Sequence, residues 1–403
     1  MPELPTASPA TSGAAARRGL LRVALVVATL LLAGCASTPP EIPYVPTGDP
    51  VADGNARLMK APPQDRPLWE CRLALEALRR GDWTEARTKL DSAILAQGGI
   101  MGPRADAAKA RSFFHREDTK LFVGEPYERV MVYFYRAILY WMDGEPDNAR
   151  ACYRTAQLLD ADAATEGYKS DWILPDFLDA LASARLKIEW ADSLVRAQQN
   201  FRGTLPPLDP EANVLVFVEF GRGPQKYGGG EYGELLHFVP GSARARCAVL
   251  HIAGRTLSIG TQDDLTFQAT TRGGRLMDTI LANKADFKET ADTVGDVALV
   301  GAAVSAYQPH SHRSDALTGG LAAVGILSKI VSAATTPEAD TRCWDNLPQL
   351  VGFGSLKLPP GEYPATLEFL SGERGAPVAS RALTITVRAA PADTVLLLSE
   401  LTP

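Results

Sequence analysis

The strongest constraint on the fold is a change of sequence pattern at residues 203–211, which read Gly-Thr-Leu-Pro-Pro-Leu-Asp-Pro-Glu. Before this stretch, residues 67–200 repeat apolar positions at helical spacing. After it, short runs rich in valine, leucine and phenylalanine alternate with turn residues, beginning with residues 213–220. The sequence therefore predicts an α+β protein, with a helical domain over 67–202, a boundary at this stretch and a β-rich domain over 211–403.

Two segments of the helical part share one spacing of small and large residues around a glycine. When Gly81 is superposed on Gly144, the aligned pairs are Ala74 and Ala137, Ala86 and Ala149, Leu90 and Tyr153, and Ala93 and Ala156. This pattern resembles the tetratricopeptide repeat, a pair of antiparallel helices that cross at small residues. Because the two matches are not adjacent, residues 98–126 must hold an extra helix and a loop. Residues 171–201 would add one or two capping helices, and a generic helical bundle is the alternative. The predicted apolar anchors of these helices are Trp172, Phe177, Leu181, Leu186 and Trp190.

The β-rich domain is predicted to be sandwich-like. Strands are expected at residues 213–220, 235–239, 247–252, 257–259, 265–269, 353–358, 363–370, 382–388 and 395–398. The glycine-rich residues 221–230 are expected to form a mobile loop between strands. Residues 275–334 would insert a helical hairpin, whose apolar runs are too short to span a bilayer. That hairpin either packs on the sheet or touches a membrane or another copy.

The N-terminus has the features of a secretory signal over residues 1–34. Three arginines precede an apolar run at residues 23–32, which ends in Leu32-Ala33-Gly34-Cys35. The last four residues match the bacterial lipobox, so Cys35 is expected to carry fatty acyl chains such as palmitate and to anchor the protein in a lipid bilayer. The alternative is an ordinary signal peptide with a chance cysteine. Residues 35–66 are predicted to be the lipid anchor and a proline-rich tether.

The residues after Cys35 indicate a location. Ala36 and Ser37 follow it, and the aspartate that signals inner-membrane retention in many Gram-negative bacteria is absent. The periplasmic side of the outer membrane is therefore expected if the host has two membranes. A net charge of −6 and a pI near 5.5 give no electrostatic attraction to nucleic acid, so no nucleic-acid partner is predicted.

Four further cysteines are present, at positions 71, 152, 247 and 343. Their spacing fits no zinc motif, because no two lie within ten residues of each other. Export from the cytoplasm permits disulfides, and a bridge between Cys247 and Cys343 is one alternative. The other is that all four are buried free thiols.

No catalytic constellation is predicted. The chain has neither a Gly-x-Ser-x-Gly elbow nor a phosphate-binding loop that opens a helix. Its one histidine cluster, His310 and His312 with Asp315 nearby, would need further ligands to hold a metal. We therefore expect no enzymatic activity, no metal site and no cofactor.

Two stretches, residues 124–135 (GEPYERVMVYFY) and 339–348 (ADTRCWDNLP), together resemble an uncharacterised family of bacterial lipoproteins. The resemblance implies a lipobox, tetratricopeptide-like helices and a β-rich C-terminal domain. Members are often encoded beside lipoproteins that resemble activators of penicillin-binding proteins, which implies a role in cell-envelope assembly.

The most favoured function is a membrane-anchored scaffold that binds an envelope protein or peptide. Residues 127–140 hold more aromatic residues than one helical core stripe needs. Tyr127, Arg129 and Tyr135 are therefore the predicted partner-binding residues. The alternative is that an extra helix near residues 105–114 covers them. Other functions considered are a carbohydrate- or peptidoglycan-binding β module, which would use aromatics such as Tyr227, Tyr232 and Trp344, and a cryptic hydrolase.

Overall fold

The computed structural model describes residues 45–97, 121–161, 170–230, 233–271, 339–373 and 375–402. The mixed α+β organisation is confirmed, with helices dominating the N-terminal half and strands the C-terminal part. The helices in these ranges are α1 (Pro50–Lys60), α2 (Arg66–Arg80), α3 (Trp83–Ala96), α4 (Pro126–Asp143), α5 (Pro146–Asp160), α6 (Ile173–Arg185), α7 (Ala191–Asn200) and α8 (Leu265–Thr270). The strands are β1 (Val214–Phe220), β2 (Gln225–Gly229), β3 (Leu235–Val239), β4 (Cys247–Ile252), β5 (Arg255–Gly260), β6 (Asp263–Asp264), β7 (Leu350–Leu356), β8 (Gly361–Leu370), β9 (Pro377–Val387) and β10 (Thr394–Ser399).

The helix pairs α2–α3 and α4–α5 turn at the glycines that the sequence pattern singled out. Gly81 and Gly144 end α2 and α4 with φ of 77° and 75°, a left-handed conformation that favours glycine. The side chain of Asp82 accepts a hydrogen bond from the backbone N–H of Glu85 (3.1 Å) and caps α3. Both turns therefore match the expectation.

Small residues are buried along these helices, at positions that the repeat pattern aligns. The buried alanines include Ala74, Ala86, Ala93, Ala137, Ala149 and Ala156. Helix α5 packs on α6, and α6 packs on α7. Phe177 and Leu181 of α6 are buried as expected, whereas Trp190, predicted to be an apolar anchor, is 39% exposed.

In two places a helix replaces the predicted conformation. Part of the predicted tether is helix α1, because Asp49 accepts hydrogen bonds from Val51 and Ala52 and Pro50 occupies the first turn, where its missing N–H costs nothing. Residues 265–269, predicted to be a strand, lie in α8, because the Asp264 side chain accepts from the N–H groups of Thr266 and Phe267. In both places a capping aspartate starts a helix, although the composition of the residues after it had indicated an extended chain or a strand.

Eight of the described strands form two four-stranded sheets. Sheet one has the order β10-β1-β7-β6, in which β10 and β1 are parallel and the other pairs are antiparallel. Sheet two has the order β5-β4-β8-β9 and is antiparallel throughout. Strands β2 and β3 form a separate hairpin. Residues 221–230, expected to be a mobile loop, therefore include a paired strand.

Strand β1 lies at the centre of three layers, and all seven of its residues are buried. Its even-numbered residues pack with sheet two in one apolar cluster that includes Leu250, Leu367 and Phe369. Leu215 and Phe217 point the other way, into a cluster formed mainly by the helices. Sheet one is thus covered by sheet two on one face and by the helices on the other.

The helices and the sheets share a core. The aromatic rings of Phe134 and Phe177 lie 5.9 Å from those of Phe217 and Phe353, respectively, and the described residues from Gly48 onward belong to one compact unit. The four described cysteines are buried free thiols, with no disulfide among them. Within the described ranges no helix is long and apolar enough to cross a membrane.

Several predictions fall outside the described residues. They concern the signal and Cys35, the extra helix near 105–114, Tyr232, the hairpin at 275–334 and the cluster of His310 and His312.

Candidate functional site

The two stretches that carried the family resemblance meet at the junction of helices and sheets. Glu128 of α4 is buried, and its carboxylate accepts hydrogen bonds from the backbone N–H of Trp344 (2.7 Å) and of Glu125 (2.7 Å). It also forms an ion pair with Lys226 of β2, whose ammonium group donates to the carbonyl of Arg342 (3.0 Å). Burial raises the pKa of Glu128, and the Lys226 ammonium opposes that shift.

A second polar network connects α2, α4 and β1. Glu219 of β1 accepts a hydrogen bond from the guanidinium of Arg79 (2.7 Å) and another from the Tyr135 hydroxyl. Arg79 also donates to the carbonyl of Asn346 (2.9 Å). All three side chains are buried or nearly so, and burial raises the pKa of Tyr135 well above its usual range. Both networks therefore hold the segment 339–349 against the helices.

The structure does not support docking of a partner on Tyr127 and Tyr135, because both side chains are buried, at 1% and 0% exposure. The ring of Tyr127 contacts that of Phe238, and the ring of Tyr135 contacts that of Trp344. Arg129, the third predicted residue, is half-buried. Parts of the β-rich region cover these tyrosines, which neither sequence-based alternative anticipated.

A cleft of about 1130 Å³ lies at the same junction, between α2 and the loops that follow β1, β3 and β10. Two glycines line it where the backbone approaches closely: a Cβ at Gly241 would come within 2.5 Å of the carbonyl oxygen of Arg222, and one at Gly223 within 2.8 Å of that of Pro348. Two of the three arginines that line this cleft form ion pairs within the protein, Arg79 with Glu219 and Arg80 with Asp49. Most of the charge in this cleft is therefore used within the protein.

A second concavity, which we call the α5–α7 groove, is smaller but presents different side chains. It has a volume of about 650 Å³. Three apolar side chains in it are exposed: Leu158 by 57%, Ile188 by 42% and Trp190 by 39%. The groove is lined by Arg150, Arg154, Gln157, Leu158, Asp179, Ile188, Glu189, Trp190, Asp192, Ser193 and Arg196.

The floor of the α5–α7 groove is a buried carboxylate that holds two arginines. Asp179 of α6 is 1% exposed, and its Oδ1 lies 3.2 Å from Nε of Arg150 and 3.4 Å from Nε of Arg154. Nε of Arg150 also donates to the Ser183 hydroxyl (2.7 Å), and the Ser193 hydroxyl donates to Asp179 (2.7 Å). These contacts hold the Nε atom of each guanidinium group in place.

The third arginine of the groove, Arg196, is paired separately. It donates to Asp176 (3.1 Å) and to the Ser193 hydroxyl (3.0 Å). Burial raises the pKa of Asp176 to about 6, although Arg196 favours its ionised form. Arg196 is therefore paired with the Asp176 carboxylate, and we do not assign it to ligand binding in the groove.

The structure also places the aromatic residues that were candidates for sugar binding, and the histidines. Trp344, a proposed sugar-stacking residue, is buried, whereas Tyr227 is half-exposed and stacks on His237 at 5.3 Å between ring centroids. His251 lies 3.7 Å from Glu368 across sheet two. Among the residues that the structure describes, no group of three histidine, cysteine, aspartate or glutamate side chains is placed to hold a metal ion.

Sequence reasoning missed the α5–α7 groove, although one signal was available. Arg150 and Arg154 are four residues apart, so they lie on the same face of α5. Nothing in the sequence placed Asp179 beneath them, because that depends on how α6 packs on α5. Trp190 was assigned to the core on apolar character alone.

Comparison with known proteins yields no match: no protein-family model, no curated protein and no solved structure matches the chain.

Proposed function

We propose that this protein is a lipid-anchored scaffold of the bacterial cell envelope, which binds a partner protein or peptide through the α5–α7 groove. The observation that carries the proposal is the exposure of Leu158, Ile188 and Trp190 in one concavity beside arginines. Tryptophan and arginine are the residue types most often critical at interfaces, and adjacent exposed apolar side chains are typical of interaction sites. No catalytic role is proposed for any residue.

The helical part is, in this proposal, a tetratricopeptide-like array. Its support is the equivalence of the two glycine turns and the burial of alanines at equivalent positions of α3 and α5. Helices α6 and α7 would then be the capping elements, and the groove is formed by them together with α5, the second helix of the second repeat.

The proposed location is the periplasmic side of the outer membrane, through lipidated Cys35. We predict that Cys35→Ser yields an unlipidated protein that no longer fractionates with the outer membrane, because the lipobox supplies the anchor. Fractionation with and without detergent measures this. A serine variant that stays fully membrane-bound would contradict the proposal.

The groove is tested by photo-crosslinking in cells from two exposed leucines. A photo-reactive residue at Leu158, inside the groove, is expected to form a defined adduct with one partner. The same residue at Leu95, which is 82% exposed on α3 outside the groove, serves as the control. Trp190→Ala should abolish the adduct formed at position 158. The same products from both positions, or none from position 158, would exclude the groove as the partner site.

A carbohydrate- or peptidoglycan-binding β module is the second candidate, and the exposed stack of Tyr227 on His237 is the feature that favours it. Trp344 cannot contribute, because it is buried. Retention of the protein on purified cell wall, lost in a Tyr227→Ala variant, would support this candidate over the scaffold. A hydrolase remains the remote alternative, and no described cluster favours it.

A further inference from the structure

We infer that the partner segment bound in the α5–α7 groove is an anionic peptide, whose carboxylate is held by Arg150 and Arg154 while its apolar side chains contact Leu158, Ile188 and Trp190. This inference rests on the proposed function, because it names the chemistry of the partner at the same groove.

The first support is the orientation of the two guanidinium groups. Asp179 and Ser183 contact Nε of Arg150, and Asp179 contacts Nε of Arg154. No residue in the described part of the chain accepts a hydrogen bond from the Nη atoms of either arginine. Each arginine is therefore held through Nε, and its two Nη groups are available to donate hydrogen bonds. Paired N–H donors of this kind match the two oxygens of a carboxylate. The Arg154 side chain is 52% exposed, so its donors are accessible.

The second support is the balance of charge around Asp179. This one buried carboxylate faces two arginines, so the pair keeps one positive charge beyond what Asp179 neutralises. The remaining acids of the lining, Glu189 and Asp192, lie at the start of α7, where Glu189 accepts a hydrogen bond from the N–H of Ala191 (2.9 Å). An incoming carboxylate is thus favoured beside Arg150 and Arg154 on the α5 side, rather than beside Glu189 and Asp192.

The third support explains why the ligand is a peptide rather than a small inorganic anion. The arginines lie beside three exposed apolar side chains in a groove of about 650 Å³, which accommodates several residues. Burying Trp190 and Leu158 requires apolar groups on the ligand, and only a ligand that carries both kinds of group uses the whole groove.

The experiment compares two synthetic octapeptides that differ only in charge. Both are acetylated and amidated and carry a fluorophore; one alternates leucine with glutamate and the other alternates leucine with glutamine. Binding to the full mature chain in detergent is measured by fluorescence anisotropy at low and at physiological salt. The glutamate peptide is expected to bind about ten-fold more tightly, with an advantage that shrinks as salt screens the charges.

Three variants locate the effect. Arg154→Gln should reduce the affinity for the glutamate peptide about ten-fold and leave the glutamine peptide unaffected. Arg154→Lys, which keeps the charge but loses the fork, should fall between wild type and Arg154→Gln. Arg244→Gln, at a 77% exposed arginine outside the groove lining, is the control and should change nothing.

Equal behaviour of the two peptides, whether both bind or neither does, would overturn the inference, as would equal loss in Arg154→Gln and Arg244→Gln. If that result accompanies a specific adduct from position 158, the scaffold proposal stands and only the anionic partner is wrong. If position 158 also gives no adduct, the proposed function itself fails.

Discussion

At the scale of single residues, Glu219 joins a central strand to two helices. Its carboxylate contacts Arg79 of α2 and Tyr135 of α4, all away from solvent. We predict that Glu219→Gln destabilises the protein by about 3–5 kcal/mol, because it leaves the Arg79 guanidinium buried without its counter-charge. Urea unfolding of the purified protein measures the loss.

A matched control for this prediction is Glu76→Gln. Glu76 lies 3.5 Å from the same arginine, but its side chain is 24% exposed. Its removal should cost about 0–1 kcal/mol, because solvent screens such pairs. Comparable losses in the two variants would show that Arg79 does not depend on Glu219.

A second residue, Asp263, connects sheet one to α6. Its two carboxylate oxygens accept from the N–H groups of Ile173 (2.7 Å) and Leu174 (2.8 Å). Burial raises the pKa of Asp263 to about 7, more than these two N–H groups lower it. Between about pH 4 and pH 7 the native state therefore keeps a proton that the unfolded chain has lost, so stability from this group falls as pH rises.

We predict that Asp263→Asn removes this contribution to the pH dependence. The difference in unfolding free energy between wild type and variant should decrease from pH 4 to pH 7, by at most about 1.4 kcal/mol per pH unit, and stay constant above pH 7. Denaturant unfolding at a series of pH values measures it. A difference that is constant across the range would mean that the native pKa of Asp263 is ordinary.

At the scale of elements, the close approach of helices α4 and α5 depends on small residues. Ala149, in the first turns of α5, is fully buried, whereas Ala151 on the same helix is exposed. Ala149→Trp should destabilise the protein by about 1–3 kcal/mol or more through overpacking. Ala151→Trp, the same change two residues further on, should leave thermal unfolding almost unchanged. Equal melting temperatures for the two variants would contradict the assigned crossing.

Most elements were predictable from sequence because their signals are local. Gly81, Gly144 and Asp82 mark helix ends by backbone conformation and capping, and six of the nine predicted strands match an observed strand closely. Residues 353–358 and 382–388 gave only parts of β7 and β9, and residues 265–269 failed because a short apolar run fits a helix or a strand equally well. Asp264, one residue before that run, was the deciding signal.

The candidate site was less predictable because its parts are brought together by tertiary packing. Tyr127 and Tyr135 exceed what one helical stripe can bury, but β3 and the segment 339–349 cover them from the other half of the chain. Asp179 lies beneath Arg150 and Arg154 only because α6 packs on α5. A pattern within one helix cannot reveal which distant element will cover its second face.

At the scale of the whole molecule, the boundary at residues 203–211 separates two kinds of secondary structure but not two cores. One apolar cluster contains residues of α2 to α7 together with Leu215 and Phe217 of β1 and Val351 and Phe353 of β7. Trp344 completes it beside Tyr135. The α5–α7 groove is therefore connected to the sheets through α6, whose Phe177 packs against Phe353 of β7.

We predict that residues 45–202, produced without the β-rich part, do not fold cooperatively. Phe134, Tyr135 and Phe177 would lose their contacts with Phe217, Trp344 and Phe353, and exposing each large side chain costs about 1.5–3 kcal/mol. The sum is comparable with the whole stability of a typical domain. The fragment should show a broad thermal transition by circular dichroism, bind a hydrophobic dye and be cut rapidly by protease, whereas residues 45–403 should melt cooperatively and resist cleavage. A fragment that melts as sharply as the longer chain would show that the helical part is an autonomous domain, and that its contacts with the sheets join two independently stable bodies.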